Sequence, residues 1–179
     1  MTDVNQLIAK YYDDNPALKE ILLVHSRLVR DKALACLHKH PELNLDAQFV
    51  EEAAMLHDIG IFLTDAPAIH CHGVQHYLCH GVLGADLLRK EGLPRHARVA
   101  ERHTGAGLTC AQIVGRNLPL PARDFLPETL EEQLVCYADK FYSKTKLTLE
   151  KPLERVLASL EPFGHEGVER FLSWHKLFG

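Results

Sequence analysis

Six residues stand where apolar side chains would be expected: His25, His57, Asp58, His80, His103 and Asp139. In EEAAMLHDIG (residues 51–60), His57 and Asp58 sit side by side directly after Met55 and Leu56, at the end of an apolar helix. His25 follows Ile21 by four residues and precedes Leu28 and Val29, so it lies within one helical stripe. His103 follows Val99 and Ala100 on an inner face, and Asp139 lies between Val135 and Tyr142 on another. His80 stands at the entry to a helix. Burying a carboxylate beside imidazole is costly unless something offsets the charge. A lone inward histidine is more often a hydrogen-bonded core residue than a ligand, so it is the six together that point to a metal. Four histidines and two aspartates are hard to satisfy by mutual hydrogen bonds alone. A divalent cation offsets the desolvation of both carboxylates, and neutral imidazole is a good ligand for it. Adjacent helical residues diverge by about 100°, yet at a helix end both His57 and Asp58 can reach an ion lying off the terminus.

The elements that must bring these residues together are nearly all helical. A first helix covers roughly Val4 to Asp13. Asn15 caps a second, with Pro16 in its first position, which runs amphipathic until Pro41. Asp46 caps a third that ends near Gly60. A long histidine-rich loop follows, and loops of that length in a compact domain are usually functional. Helices are then expected from about Gly81 to before Gly92, from Pro94 to the TGAG stretch, from a Thr109 cap to Asn117, and over ETLEEQLVCYADKFYSKTK. The part after Pro152 reads as two helices broken around PFGHEG. No alternating run rich in Val, Ile and Thr occurs, so no sheet is predicted. The expected fold is all-α: one helical bundle over residues 1–179, with its core at about 16–145 and C-terminal helices 152–178 packed on it.

The order His25, His57-Asp58, Asp139 resembles the HD-domain phosphohydrolase superfamily, and HDIG is the spelling that names one of its subfamilies. The resemblance runs from about LLVHSRLV to CYADKF, most of the chain. It implies an HD-type bundle in which His25, His57, Asp58 and Asp139 hold one metal. Many members add two histidines between the HD pair and the last Asp to hold a second, and His80 and His103 fit those positions. The chain lacks the GYP-type signature of the cyclic-dinucleotide phosphodiesterases. Its layout is similar to that of the HD enzymes that split diadenosine tetraphosphate, without the IEP segment after YADK.

The chemistry fits the residues independently. Two cations about 3.5–4 Å apart can clamp the oxygens of an in-line phosphoryl transfer around a bridging hydroxide. Asp58, with two oxygens, could bridge them. Mixed imidazole and carboxylate ligands suit Fe, Mn, Zn, Co or Ni, whereas Mg wants more oxygen. The alternative is a single ion, with His80 and His103 touching the substrate phosphate. Phosphate also needs positive charge. Lys140 is the candidate for a catalytic and substrate contact, helped by the backbone N–H groups of Thr104 and Gly105 and by the helix start at His80. Arg116 and Arg123, flanking a proline-rich connection, could face an anionic substrate or be ordinary surface arginines.

The remaining histidines carry weaker expectations. His70, His72 and His76 share the long loop with Cys71 and Cys79 but lack standard zinc spacing, so a lid over the site, with one histidine on substrate phosphate, is expected. His96 lies about 10.5 Å along its helix from His103 and is expected to pack rather than ligate. Glu101 is expected either to orient a ligand or to be exposed.

Composition narrows the function classes. The 20 Lys+Arg against 24 Asp+Glu give a net charge of -4, which argues against duplex nucleic acid as the main partner. No segment is apolar enough to span a membrane. The N-terminus shows no signal peptide, and five irregularly spaced cysteines fit reduced thiols in the cytoplasm. The expected activity is metal-dependent hydrolysis of a small phosphate ester, a nucleotide or dinucleotide. The rivals are a diiron oxygenase on the same fold and a nucleotide-binding sensor without turnover.

Overall fold

The computed structural model describes residues 3–179; Met1 and Thr2, at the start of the expected domain, lie outside the described residues. The fold is all-helical: α1 Val4–Tyr12, α2 Pro16–Lys39, α3 Ala47–Leu56, α4 His80–Lys90, α5 Pro94–Arg102, α6 Cys110–Gly115, α7 Leu130–Asp139, α8 Leu153–Leu160 and α9 His165–Phe178. Local chemistry sets the starts. The Asn15 side chain accepts from Leu18 N at 3.1 Å, with Pro16 in the first turn, and Asp46 accepts from Phe49 N at 3.0 Å. Thr109 and Gln112 form a reciprocal capping box at α6.

A small apolar cluster around Leu108, Ile113 and Phe125 holds α6, and two large ones hold most of the helices. One joins α1, the first half of α2, the end of α3, α4 and α5 through residues such as Ile8, Leu22, Leu56, Leu88 and Ala100. The other joins the second half of α2, α3, α7, α8 and α9 through Val29, Val50, Val135, Val156 and Phe171. The C-terminal helix α9 therefore shares a core with α7, where Tyr137 stacks on Phe171 with ring centroids 5.1 Å apart. His25 lies between Leu22 of the first cluster and Val29 of the second, so the polar centre sits where the two meet.

Two expectations are corrected. The long loop contains a small antiparallel pair, β1 (Asp65–Ala66) and β2 (Cys71–His72), with Asp65 opposite His72 and Ala66 opposite Cys71. Two residues are too few to show alternation. A tight turn from Pro67, closed by His70 at a φ of 61°, is what folds the chain back. Helix α7 also ends at Asp139 rather than running to Lys146. The N–H groups of Lys140, Phe141 and Tyr142 bond carbonyls only three residues back, at 3.3, 3.3 and 3.1 Å, which tightens and ends the helix.

Candidate metal centre

The six polar residues come from helix ends and one helix interior, and small residues bring those ends together. His57 and Asp58 follow α3, His80 opens α4, His103 follows α5, Asp139 closes α7 and His25 lies within α2. Gly60 explains the approach of α4: a Cβ there would lie 2.3 Å from His80 O and 2.4 Å from Gly84 N. Gly81 does the same between α4 and α5, since its Cβ would meet Ala100 O at 2.5 Å. Tyr12, fully buried, donates its hydroxyl to Ile59 O at 2.7 Å and pins the turn that carries Asp58.

The resulting geometry is that of two ligand sets sharing one carboxylate. His25 Nε2 lies 2.9 Å from Asp139 Oδ1 and 3.2 Å from Asp58 Oδ2. His57 Nε2 lies 3.1 Å from Asp58 Oδ2 and 3.4 Å from Asp139 Oδ1. Two ligands each about 2.1 Å from one ion, at tetrahedral to octahedral angles, are about 3.0–3.4 Å apart. The four atoms thus already have the spacing of a coordination shell. The other oxygen, Asp58 Oδ1, lies 3.4 Å from both His80 Nε2 and His103 Nε2.

Hydrogen bonds set the tautomers. Nδ1 of His57, His80 and His103 donates to Ala54 O at 2.7 Å, Tyr77 O at 2.6 Å and Ala100 O at 2.7 Å. Each ring is thereby fixed with its Nε2 lone pair aimed at the centre, the usual outer support of a ligating histidine. For His80 and His103 the consequence is sharp. Their Nε2 atoms are 3.0 Å apart, and with both Nδ1 positions donating, two lone pairs face each other. That arrangement is repulsive unless a positive charge lies between them. Asp58 is fully buried, and both of its oxygens, with His57 Nε2, lack an aligned hydrogen bond. The donor set of imidazole nitrogen and carboxylate oxygen fits a divalent cation.

The electrostatics agree. Burial opposes ionisation of both aspartates, but Lys144 and His57 hold Asp58, and Lys140 holds Asp139, well below the usual carboxylate range. Burial lowers His80 to about 3 and also lowers His103, so both remain neutral and able to ligate. Burial likewise opposes protonation of His57, yet Asp58 and Asp139 outweigh it and raise its pKa to about 9, so a proton competes for that lone pair.

A cavity of about 540 Å³ opens onto the centre and is lined by His80, His103, Asp139, Thr104, Gly105 and Lys140, together with Tyr77, Lys144, Lys151, Leu160 and Phe163. Lys140 Nζ pairs with Asp139 Oδ2 at 2.6 Å. Lys144, which sequence reasoning missed, is half-buried and places its ammonium 2.6 Å from Asp58 Oδ2. Burial opposes its charge, but Asp58 raises its pKa. Tyr77 stacks on His80 with centroids 4.8 Å apart. Of the loop histidines, His76 lines the cavity whereas His70 and His72 do not.

Arg116 and Arg123 are both exposed. Arg116 donates to Pro162 O, and Arg123 pairs with Glu101 Oε2 at 2.9 Å and lies over the Phe125 ring; neither lines the cavity. Glu101 is neither exposed nor turned to a ligand: it is buried and also takes Arg89 at 2.7 Å. His96 packs its edge on Phe49 and contacts Glu52 at 3.2 Å.

Comparison with known proteins agrees with this centre. An uncharacterized protein of Methanocaldococcus jannaschii is 39% identical over 128 residues, which is 71% of this chain and 67% of that protein. A tRNA (cytidine(56)-2'-O)-methyltransferase of Thermoplasma volcanium is 33% identical over 88% of this chain, but the match spans only 41% of that protein. The protein of the same name from Picrophilus torridus is 36% identical over 57% of this chain and 26% of its own length. No solved structure gives a significant match. The sequence model of the HD domain matches residues 22–143, a span that opens just before His25 and closes just after Asp139, and the chain belongs to the HD domain family.

Proposed function

We propose that this chain, as one domain over residues 1–179, is a metal-dependent phosphohydrolase that cleaves a small phosphate ester, a nucleotide being the preferred class. The observation that carries the reading is Asp58: fully buried, with Oδ2 facing His25 and His57 and Oδ1 facing His80 and His103, beneath a lysine-lined cavity. His25, His57, Asp58 and Asp139 would hold one divalent ion, and Asp58 with His80 and His103 would hold a second. Fe, Mn, Zn, Co and Ni suit these ligands better than Mg. Bound divalent ions would supply Lewis acidity and lower the pKa of an attacking water.

The chain's own residues do the rest. The carbonyls of Ala54, Tyr77 and Ala100 hold three rings in place, so no reorganisation is needed during reaction. Lys140 and Lys144 present positive charge to the phosphoryl oxygens from the cavity wall, with Thr104 and Gly105 beside them. Tyr77, Leu78, Leu160 and Phe163 give the cavity an apolar side that fits the body of an ester such as a nucleobase. The HDIG spelling at residues 57–60 supports assignment to the subfamily of that name. The methyl transfer named for two of the relatives is not carried over, because the matched segment is the smaller part of each.

The test is a screen of nucleotides, dinucleotides and sugar phosphates with Mn, Fe, Co, Ni, Zn and Mg each supplied in turn. Phosphate release and oxygen consumption are read together. Metal-dependent phosphate release is expected; oxygen uptake without it would favour the oxygenase alternative, and nucleotide binding without either would favour a sensor.

A further inference from the structure

Lys151 lies in the wall of the same cavity, and among the described residues no carboxylate pairs with it. It lies in the connection between α7 and α8, half-buried, and its Nζ donates to Lys140 O at 3.1 Å. That neutral acceptor takes one of the three N–H bonds of an ammonium. The other two lysines of this wall differ: Lys140 and Lys144 are each held by a carboxylate at 2.6 Å. Burial lowers the pKa of Lys151; Asp139 partly opposes this, and Lys140 and Lys144 add to it. The neighbouring hydroxyls carry no charge, and two of the three hydroxyl hydrogens are already donated, one between Ser143 and Thr145 at 2.9 Å and one from Ser159 to Val156 O at 2.7 Å.

The charge balance points the same way. Three lysines of the wall face the two carboxylates of the centre. Each divalent ion adds two further positive charges, and a phosphate monoester removes at most two. With a single-phosphate ester the centre therefore keeps a net positive charge, and Lys151, held only by a neutral carbonyl, is the wall lysine left partly buried with no anion beside it, which is costly. We infer that Lys151 is a specificity-determining residue that binds a second anionic group of the substrate, a carboxylate or a further phosphate, beyond the ester that is cleaved. This rests on the phosphohydrolase reading above. It narrows the substrate from phosphate esters in general to those carrying two anionic groups.

The test uses non-hydrolysable probes on the full chain loaded with Mn: methylphosphonate, with one anionic group, against phosphonoacetate and 3-phosphonopropionate, which add a carboxylate at two spacings. Affinities are measured by isothermal titration calorimetry for wild type, Lys151→Gln and Lys151→Arg. Gln keeps an N–H for Lys140 O without the charge, and Arg keeps the charge. At least one carboxylate-bearing probe should bind wild type about tenfold more tightly than methylphosphonate, the scale of a charge-assisted contact. That ratio should collapse toward one in Lys151→Gln and recover in Lys151→Arg. A preference that persists in Lys151→Gln, or is lacking in wild type, would overturn the inference and leave Lys151 as a helix-end cap. If methylphosphonate itself fails to bind the loaded protein, the phosphohydrolase reading falls as well.

Discussion

Gly60→Ala should both destabilise the protein and spoil the His80–His103 half of the centre. A Cβ at residue 60 would lie 2.3 Å from His80 O, while ordinary contact begins near 3.4 Å, so the first turn of α4 must retreat by about 1 Å. The obstacle is backbone, which cannot swing aside as a flexible side chain would. Overpacking of this kind costs about 1–3 kcal/mol, which for a chain of this size lowers Tm by about 2–12 °C. The functional effect follows from tolerance. Ligand distances in a metal site hold to about 0.2 Å, and His80 begins the turn that must move. Binding at His80, His103 and Asp58 Oδ1 should therefore weaken more than binding at His25, His57, Asp139 and Asp58 Oδ2. Thermal melts with Mn titration would read both effects. Gly115→Ala is the control, because a Cβ there meets nothing within 4 Å. If Gly60→Ala melted with wild type and bound metal identically, the argument that this glycine sets the approach of α4 would be refuted.

Two further outcomes follow from the charges. Lys144→Met should lower kcat/KM by about tenfold or more through the loss of a phosphate-facing cation. Its metal affinity should stay the same or rise, since an ammonium no longer shares Asp58 Oδ2; a clear drop in metal affinity would show that Lys144 supports the ligands instead. Glu101 carries a pH dependence: burial opposes its ionisation, but Arg123 and Arg89 outweigh it and depress its pKa. Its contribution to stability is then present above the ordinary carboxylate value of about 4.3 and lost as pH falls through the depressed folded value. Glu101→Gln should cost about 1–2 kcal/mol at pH 7, discounted because both arginines are partly exposed. The gap to wild type should close in acid melts; a gap independent of pH would contradict the ion-pair account.

Much of the fold was legible because its signals are local. Asn15, Asp46 and Thr109 are caps whose bonds span three residues, and the stripes around His25 and Val135 are short-range patterns. The ligand candidates were legible for a related reason, since a histidine or aspartate on an apolar stripe breaks the pattern that surrounds it. Lys144 was not. On an unbroken helix it would point about 140° away from Asp139, and only the early end of α7 turns it back to Asp58. The contacts of Arg116, Arg123 and Glu101 were not legible because their partners are distant in sequence: Arg116 meets Pro162, and Glu101 meets Arg89 and Arg123. Nothing in the spacing of His70, His72 and His76 shows which one reaches the cavity; the turn from Pro67 decides it.

The proposed metal centre around Asp58 and its hydrolysis of phosphate esters can be tested together. The most direct measurement is phosphate release from the best ester of the screen, by wild type and Asp58→Ala stripped of metal and reloaded with Mn, with bound metal counted in the same samples. Release is expected only from the reloaded wild type, with close to two ions per chain, and neither activity nor a full complement of metal in Asp58→Ala. Release by the stripped wild type, or an Asp58→Ala variant that keeps both its metal and its activity, would contradict it.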